Sequence, residues 1–278
     1  MRFLVILLFG AAALGCGQKS DDPGKAGPKG SEPGGHAHGH GHGQNEHAGR
    51  ESVAKLDLQT REGLRAKVAT PLRFTVPDAK GQPLKAFDVR HDAKVHLIVV
   101  RAGLDTFAHL HPAVDAATGT LSAEYTFPSG GVYHLFADYQ EPGQQPRTAT
   151  ARVEVAGDAP AAVELKPDVP GTVKGDGLTA TVSVAGAKPT AEAVMRFELF
   201  DGDKPVSDLE PYMGATGHLV VISADAKRYV HAHPREKAGE KHVVSFGAAF
   251  PAAGIYKGWG QFKRGGQVRI LPFVVRID

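Results

Sequence analysis

The sequence is poor in cysteine, in net charge and in long hydrophobic runs. Its 278 residues include one cysteine, Cys16, so no disulfide can form within the chain. The formal net charge is only +2, which gives no case for binding nucleic acid. The apolar segment at the N-terminus is too short to span a bilayer as a mature helix. No segment carries a sustained helical period, which leaves β-structure as the alternative to consider.

The N-terminal segment is typical of a bacterial lipoprotein signal. Residues 1–15 combine the positive Arg2 with a short apolar core, and positions 13–16 hold Ala-Leu-Gly-Cys, which resembles a lipoprotein cleavage box. Lipidation of Cys16 would anchor the mature chain to a bacterial membrane. Gly17 is not the aspartate that often retains such proteins at the inner membrane, so we expect the periplasmic face of the outer membrane. The alternative is a plain secretory signal with an incidental cysteine.

Residues 16–50 are predicted to be a disordered tether rich in glycine, proline and histidine. They contain almost no large apolar side chain, so they cannot bury enough surface to offset the entropy of ordering. Alternating histidines in a glycine-rich tract can hold a metal ion loosely. The predicted low-affinity metal tract comprises His36, His38, His40, His42 and His47. The alternative is a solvated low-complexity spacer.

Beyond residue 50, the sequence predicts an all-β fold built of two tandem modules. Short runs rich in β-branched and aromatic residues alternate with turns of glycine, proline and aspartate, which favours immunoglobulin-like (cupredoxin-like) β-sandwiches. The modules are predicted at residues 51–157 and 158–278, with a boundary near 157–170. The predicted strands are 68–76, 95–101, 107–111, 121–127, 132–139, 148–155, 178–184, 193–200, 219–223, 229–233, 243–250, 255–262 and 268–277.

A histidine pattern occurs twice, at an offset of 122 residues. Each copy begins with a histidine and four apolar residues and ends with His-x-His-Pro. Packing alone accounts for a repeated apolar pattern, whereas three histidines kept in register indicate a site, because histidine is the most frequent neutral metal ligand. The predicted ligands are His96, His109 and His111 in the first copy, and His218, His231 and His233 in the second. The alternatives are a solvated sheet face and structural imidazoles that form hydrogen bonds across the loop carrying Pro112 or Pro234.

A hairpin register would place each trio on one face of a sheet. The two strands on either side of the turn at 103–105 are predicted to pair with His96 opposite His111. Residues two apart on a strand point to the same side, so His109 joins them. Paired Cβ atoms would lie about 5 Å apart, which suits two imidazoles that bind one ion. The second trio has the same spacing, and the sequence leaves open whether the two sites interact.

The same register adds a fourth position to each copy. His91 in the first copy corresponds to Met213 in the second, again at an offset of 122. Histidine and methionine replace each other most readily as copper ligands, because thioether sulfur is soft and suits Cu(I). The sequence therefore predicts copper as the cofactor, with zinc second, and includes both residues in the metal sites. The alternative is that Met213 fills an apolar gap.

These residues resemble the motifs of a known bacterial group. The runs 91–100 and 107–112 are similar to a motif of the secreted bacterial proteins called YtkA-like or FixH-like. The runs 212–218 and 231–234 resemble the companion motif. The resemblance covers most of residues 60–278 and implies an immunoglobulin-like sandwich outside the cytoplasm. For FixH-like proteins, it also implies a link to copper supply for haem–copper oxidases.

The predicted function is metal binding without catalysis. The sequence has no phosphate loop and no nucleophile elbow, and its one cysteine precedes the folded part, so we expect a protein that is not an enzyme. We expect a periplasmic, lipid-anchored protein that binds, buffers or delivers a transition metal. Its expected partners are the bacterial membrane and a metal-acceptor protein. The alternative is a non-catalytic cell-envelope interaction module whose structural histidines lie too far apart to share an ion.

Overall fold

A computed structural model describes residues 50–51, 54–235 and 240–278 of the chain. The predicted lipidation site, Cys16, and the tract of His36, His38, His40, His42 and His47 lie outside these residues. The described part consists of strands and turns, which confirms the all-β prediction. Among the described residues, no helix has the length and apolar character needed to cross a membrane.

The first half of the described chain folds into two sheets around one core. One sheet has the strand order β2-β10-β9-β5-β6 and the other has β3-β4-β8-β7. Leu72 and Leu121 of the second sheet share a buried cluster with Leu97 and Leu135 of the first, so the pair forms a sandwich, called module 1 here. The strands of module 1 are β2 (Ala54–Lys55), β3 (Asp57–Leu58), β4 (Ala69–Thr75), β5 (Val95–Arg101), β6 (Phe107–Leu110), β7 (Ala113–Asp115), β8 (Thr120–Thr126), β9 (Gly131–Tyr139) and β10 (Arg147–Val155), and β1 (Arg50–Glu51), which precedes them, pairs in a sheet of the second half.

The second half repeats this arrangement and is called module 2. One sheet has the order β11-β12-β13-β14, with β17 paired to β13, and the other has β1-β16-β15-β18-β19. Phe197 and Phe246 of the first sheet pack with Leu219 and Phe273 of the second in one buried cluster. The strands are β11 (Gly171–Gly175), β12 (Leu178–Ala185), β13 (Glu192–Asp201), β14 (Lys204–Pro205), β15 (His218–Ser223), β16 (Arg228–Ala232), β17 (Val243–Ala249), β18 (Gly254–Arg264) and β19 (Gln267–Ile277).

All thirteen predicted strands are present, and their observed ends lie within two residues of the predicted ones. The prediction of two tandem sandwiches is therefore confirmed. The sequence pattern missed the short strands β1, β2, β3, β7, β11 and β14. Most of these have only two or three residues, which is too few to show an alternating pattern. Strand β11 begins and ends with glycine, which is uncommon in strands.

The two modules pack together through the sheets that carry the histidine hairpins. Ile98 on β5 and Val220 on β15 are fully buried and belong to one cluster, called the inter-module core. Its other buried members are Val100, Leu104, Phe136, Ile222, Ala226, Tyr229 and Trp259. The neighbouring Val99 and Val221 point the other way, into the cores of their own modules. Strands β5 and β15 are thus buried on both faces, which explains their unbroken apolar runs.

Replacing Ile98 with alanine should lower the free energy of unfolding by about 2–5 kcal/mol, because the change leaves a cavity in a fully buried site. Urea denaturation of the metal-free protein measures this. Val163→Ala is the matched control, because Val163 is 72% exposed, and it should change stability by no more than about 0.5 kcal/mol. Equal effects of the two substitutions would contradict a packed interface between the modules.

Candidate metal centre

The observed hairpin register places each histidine trio on one face of its sheet, as predicted. Strand β5 pairs with β6 so that Ile98 lies opposite His109, and the same register aligns His96 with His111. The three histidines therefore share a face with Ile98, which is the face that meets the other module. The second hairpin repeats this register with His218, His231 and His233.

Because these two faces pack against each other, both trios converge on one cluster. Ring centroids lie 5.1 Å apart for His96 and His111 and 5.0 Å apart for His218 and His233. Between modules, the His96 and His231 centroids are also 5.1 Å apart. The histidine cluster comprises His91, His96, His109, His111, His218, His231 and His233. The structure thus joins in one site the two trios that the sequence treated separately.

Two groups within the histidine cluster could hold a metal ion. Their members are His96, His109 and His231 in the first group, and His218, His231 and His233 in the second. Within each group, the candidate ligand atoms lie within 4.8 Å of one another. The second group is the predicted trio of module 2. The first draws His231 from module 2, whereas the predicted His111 is exposed and its ring lies 4.8 Å from that of His109.

Backbone carbonyl groups orient the first histidine of each trio. Nε2 of His96 donates a hydrogen bond to the carbonyl of Arg90 at 3.0 Å, and Nε2 of His218 donates to the carbonyl of Tyr212 at 2.9 Å. A carbonyl oxygen only accepts, so Nδ1 of each ring presents a lone pair. Metal-ligating histidines are commonly held in this way. Nδ1 of His218 is buried and has no hydrogen-bond partner within the described part of the chain.

The two carbonyl groups come from matching turns, at 90–93 and 212–215. Each turn is closed by two backbone hydrogen bonds of 2.8–3.2 Å. Both central residues of each turn have positive φ, as a type I′ turn requires. His91 and Met213 therefore occupy equivalent, half-buried turn positions, of which His91 belongs to the histidine cluster. The His91 ring stacks on that of His233, with centroids 3.3 Å apart.

A residue of the opposite module contacts the middle histidine of each trio. Asp138 on β9 accepts a hydrogen bond from Nδ1 of His231, with its Oδ2 at 3.0 Å. The side chain of Gln261 on β18 lies 3.0 Å from Nδ1 of His109. Each of the two residues lies opposite the first histidine of its own module's trio, so they occupy equivalent positions in the two modules. Sequence reasoning missed them, although the offset of 123 that relates Phe127-Pro128 to Phe250-Pro251 also relates these two.

Burial lowers the pKa of the histidines in the centre of the cluster. It lowers the pKa of His96 to about 4, although the charge of Asp138 acts in the opposite direction. Burial lowers the pKa of His109 and His231 well below the ordinary value, and neighbouring imidazoles lower it further. Burial also lowers the pKa of His218. The rings are therefore neutral at physiological pH, which is the form that binds a metal.

The donor set of the cluster fits a transition metal. Both candidate groups consist of imidazole nitrogens, which suit copper, zinc, nickel and iron. Nδ1 of His218 and Nε2 of His231 are buried and lack a hydrogen-bond partner among the residues described. Leaving buried polar atoms unpaired costs free energy, and a bound cation would satisfy both.

Comparison with known proteins identifies a family and some distant structural similarity. The family described as "Domain of unknown function (DUF8832)" matches residues 37–157 and 172–278. No curated protein matches the sequence.

Three solved structures illustrate the structural similarity. The Escherichia coli adhesin FdeC is 15% identical, with a TM-score of 0.28, over 83% of this chain and 66% of that one. A marsupial T cell receptor is 9% identical, with a TM-score of 0.25, over 80% and 96% of the two chains. Invasin, a bacterial integrin-binding protein, is 15% identical, with a TM-score of 0.24, over 80% and 39%. TM-scores and sequence identities this low carry no argument about function.

The metal-free protein should lose stability as the pH falls from about 6.5 towards 4. Each histidine titrates near 6.5 in the unfolded chain, whereas burial lowers the pKa of His96 to about 4 in the fold. In this window the unfolded state binds more protons, so the free energy of unfolding decreases with decreasing pH. Thermal unfolding in a chelating buffer measures the effect. The His96→Asn variant should show a shallower fall in Tm, and equal slopes for the two proteins would contradict this explanation.

Proposed function

The chain belongs to the family of the DUF8832 domain, and we propose that it is a non-catalytic metal-binding protein of the bacterial cell envelope. It binds, buffers or delivers a transition metal, with copper favoured over zinc. The observation that carries this proposal is the convergence of imidazole nitrogens from both modules in one buried cluster. In His96, His218 and His231, the ring nitrogen that points into the cluster carries a lone pair, because the opposite nitrogen donates a hydrogen bond to an acceptor.

The preference for copper rests on the donor atoms. Sites with nitrogen donors bind Cu(II) more tightly than the other divalent ions of the first transition row. Met213 occupies the turn position that His91 occupies in module 1, and its backbone lies against the His218 ring. A thioether at that position would favour Cu(I) over Zn(II). Module 2 is accordingly the better candidate for copper.

The envelope location rests on the N-terminal sequence. Residues 1–15 have the pattern of a secretory signal, and the one cysteine of the chain, Cys16, follows immediately. We propose that Cys16 is lipidated and that the protein faces the periplasm from the outer membrane. Its partners would then be the membrane and a metal-acceptor protein.

An interaction module with structural histidines is the competing function. That alternative requires each trio to be too widely spaced to share an ion. The ring centroids of neighbouring trio members instead lie 4.6–5.6 Å apart. Nδ1 of His96 also lies only 2.9 Å from Nε2 of His109. This spacing favours metal binding over the alternative.

The His231→Ala variant should lose tight metal binding, because His231 belongs to both candidate groups. The expected loss of affinity exceeds the roughly 10–100-fold effect of removing an outer partner of a metal ligand. Competition with chelators of known affinity, for Cu(I), Cu(II) and Zn(II), measures it. His134→Ala is the matched control, because His134 lies on β9 outside the histidine cluster. Unchanged affinity in His231→Ala would refute the proposed site.

Replacing His36, His38, His40, His42 and His47 with asparagine in the full chain should remove only weak, additional equivalents of bound metal. A glycine-rich tract has no fixed geometry to select an ion, so its affinity should be modest. Titrations of the parent and substituted chains separate the two classes of binding. Loss of the tight class in the substituted chain would show that the cluster is not the principal site.

A further inference from the structure

The hydrogen bond between His96 and His109 locates one proton in the metal-free protein. His96 donates from Nε2 to the carbonyl of Arg90, so its Nδ1 can only accept. Nδ1 of His96 lies 2.9 Å from Nε2 of His109, which must therefore carry the proton. His109 is neutral, so its own Nδ1 is unprotonated and accepts a hydrogen bond. In this state Nε2 of His109, the nitrogen that would bind a metal, instead donates a hydrogen bond to His96.

Gln261 must then act as the donor to Nδ1 of His109. A glutamine side chain can either accept through its oxygen or donate through its nitrogen, and a half-turn of the amide exchanges the two. With Oε1 towards His109, Nε2 of Gln261 is buried and has no partner in the described residues. The half-turn brings this nitrogen to His109, so that the amide N–H and Nδ1 of His109 both gain a hydrogen-bond partner. The metal-free state therefore favours the amide nitrogen at this contact.

His231 differs because its partner is a carboxylate. Asp138 can only accept when ionised, so the proton of His231 lies on Nδ1 and Nε2 keeps its lone pair. Nη1 of Arg90 lies 4.0 Å from Oδ1 of Asp138 and keeps a positive charge next to the carboxylate. Nε2 of His231 therefore needs no rearrangement before it binds an ion.

We infer that Asp138 and Gln261 assign different roles to the two middle histidines: His231 is a fixed ligand, and His109 is a tautomeric switch. The inference rests on the proposed metal-binding function. For His109 to bind an ion, one proton leaves Nε2 through solvent and one is taken up on Nδ1, with no net change. The amide of Gln261 turns so that its oxygen accepts a hydrogen bond from the new Nδ1–H group. Both groups would use the same lone pair, that on Nε2 of His231, so they are alternative positions for an ion, and only the group of His96, His109 and His231 involves this step.

Side-chain nitrogen chemical shifts of the histidines in the full chain test this assignment directly, with zinc as a diamagnetic probe. In the metal-free protein, we expect His109 to carry its proton on Nε2 and His231 to carry its proton on Nδ1. When zinc binds to the group of His96, His109 and His231, the His109 proton should move to Nδ1, whereas that of His231 should stay. A proton on Nδ1 of His109 before zinc is added would overturn the inference. A cluster that binds no zinc would refute the proposed function, and the metal-free spectra would still decide the tautomers.

Two exchange variants add a second measurement. Gln261→Glu should fix His109 as the Nδ1 tautomer without metal and raise the zinc affinity by about 10-fold, whereas Asp138→Asn should lower it by about 10–100-fold. Gln267→Glu adds the same charge at an exposed position and should leave the affinity unchanged. An unchanged His109 tautomer in Gln261→Glu would overturn the inference. If either variant fails to fold, the spectra of the unmodified chain decide the question.

Discussion

The packing of one histidine-bearing sheet face against the other is the constraint on which the rest of the structure depends. Ile98 and Val220 are fully buried on these faces, and burial of such side chains drives the association of the modules. The histidines extend from the same faces, so they are removed from water with them. A buried imidazole must remain neutral and find partners for its nitrogens. Both the lowered pKa values and the shared ligand groups follow from this packing.

The two modules are equivalent in fold, and the positions where they differ have chemical consequences. The paired turns at 90–93 and 212–215 hold the first histidine of each trio in the same way. At the central positions of the turns, His91 is replaced by Met213, which exchanges a nitrogen donor for sulfur. On the strand opposite the first histidine of each trio, Asp138 of module 1 corresponds to Gln261 of module 2, which exchanges a fixed acceptor for a group that can also donate. One duplicated arrangement thus yields two unlike halves of a single cluster.

The sequence predicted the local geometry well, because local geometry depends on spacing. Apolar runs between turn residues located the long strands, and the equal distances of His96 and His111 from the turn predicted their pairing. The meeting of the trios was not predicted, because pairing within a hairpin does not say which face of another module covers it. The unbroken apolar run of β5 was the available signal, since it indicates burial on both faces. Asp138 and Gln261 were visible only through the offset of the repeat.

A cluster shared by two modules links metal binding to the docking of those modules. An ion bound by His96 and His231 has ligands from both modules. Docking of the modules therefore raises the affinity for the ion, and the bound ion stabilises the docked arrangement by the same free energy. Within one module, the ligands on strands belong to elements whose other faces form the module core, so they keep their relative positions. Changes within the cluster are therefore confined to small steps, such as ring and amide rotation or proton transfer. The contact of Gln261 with His109 crosses between the modules, so the proton arrangement of His109 also depends on their docking.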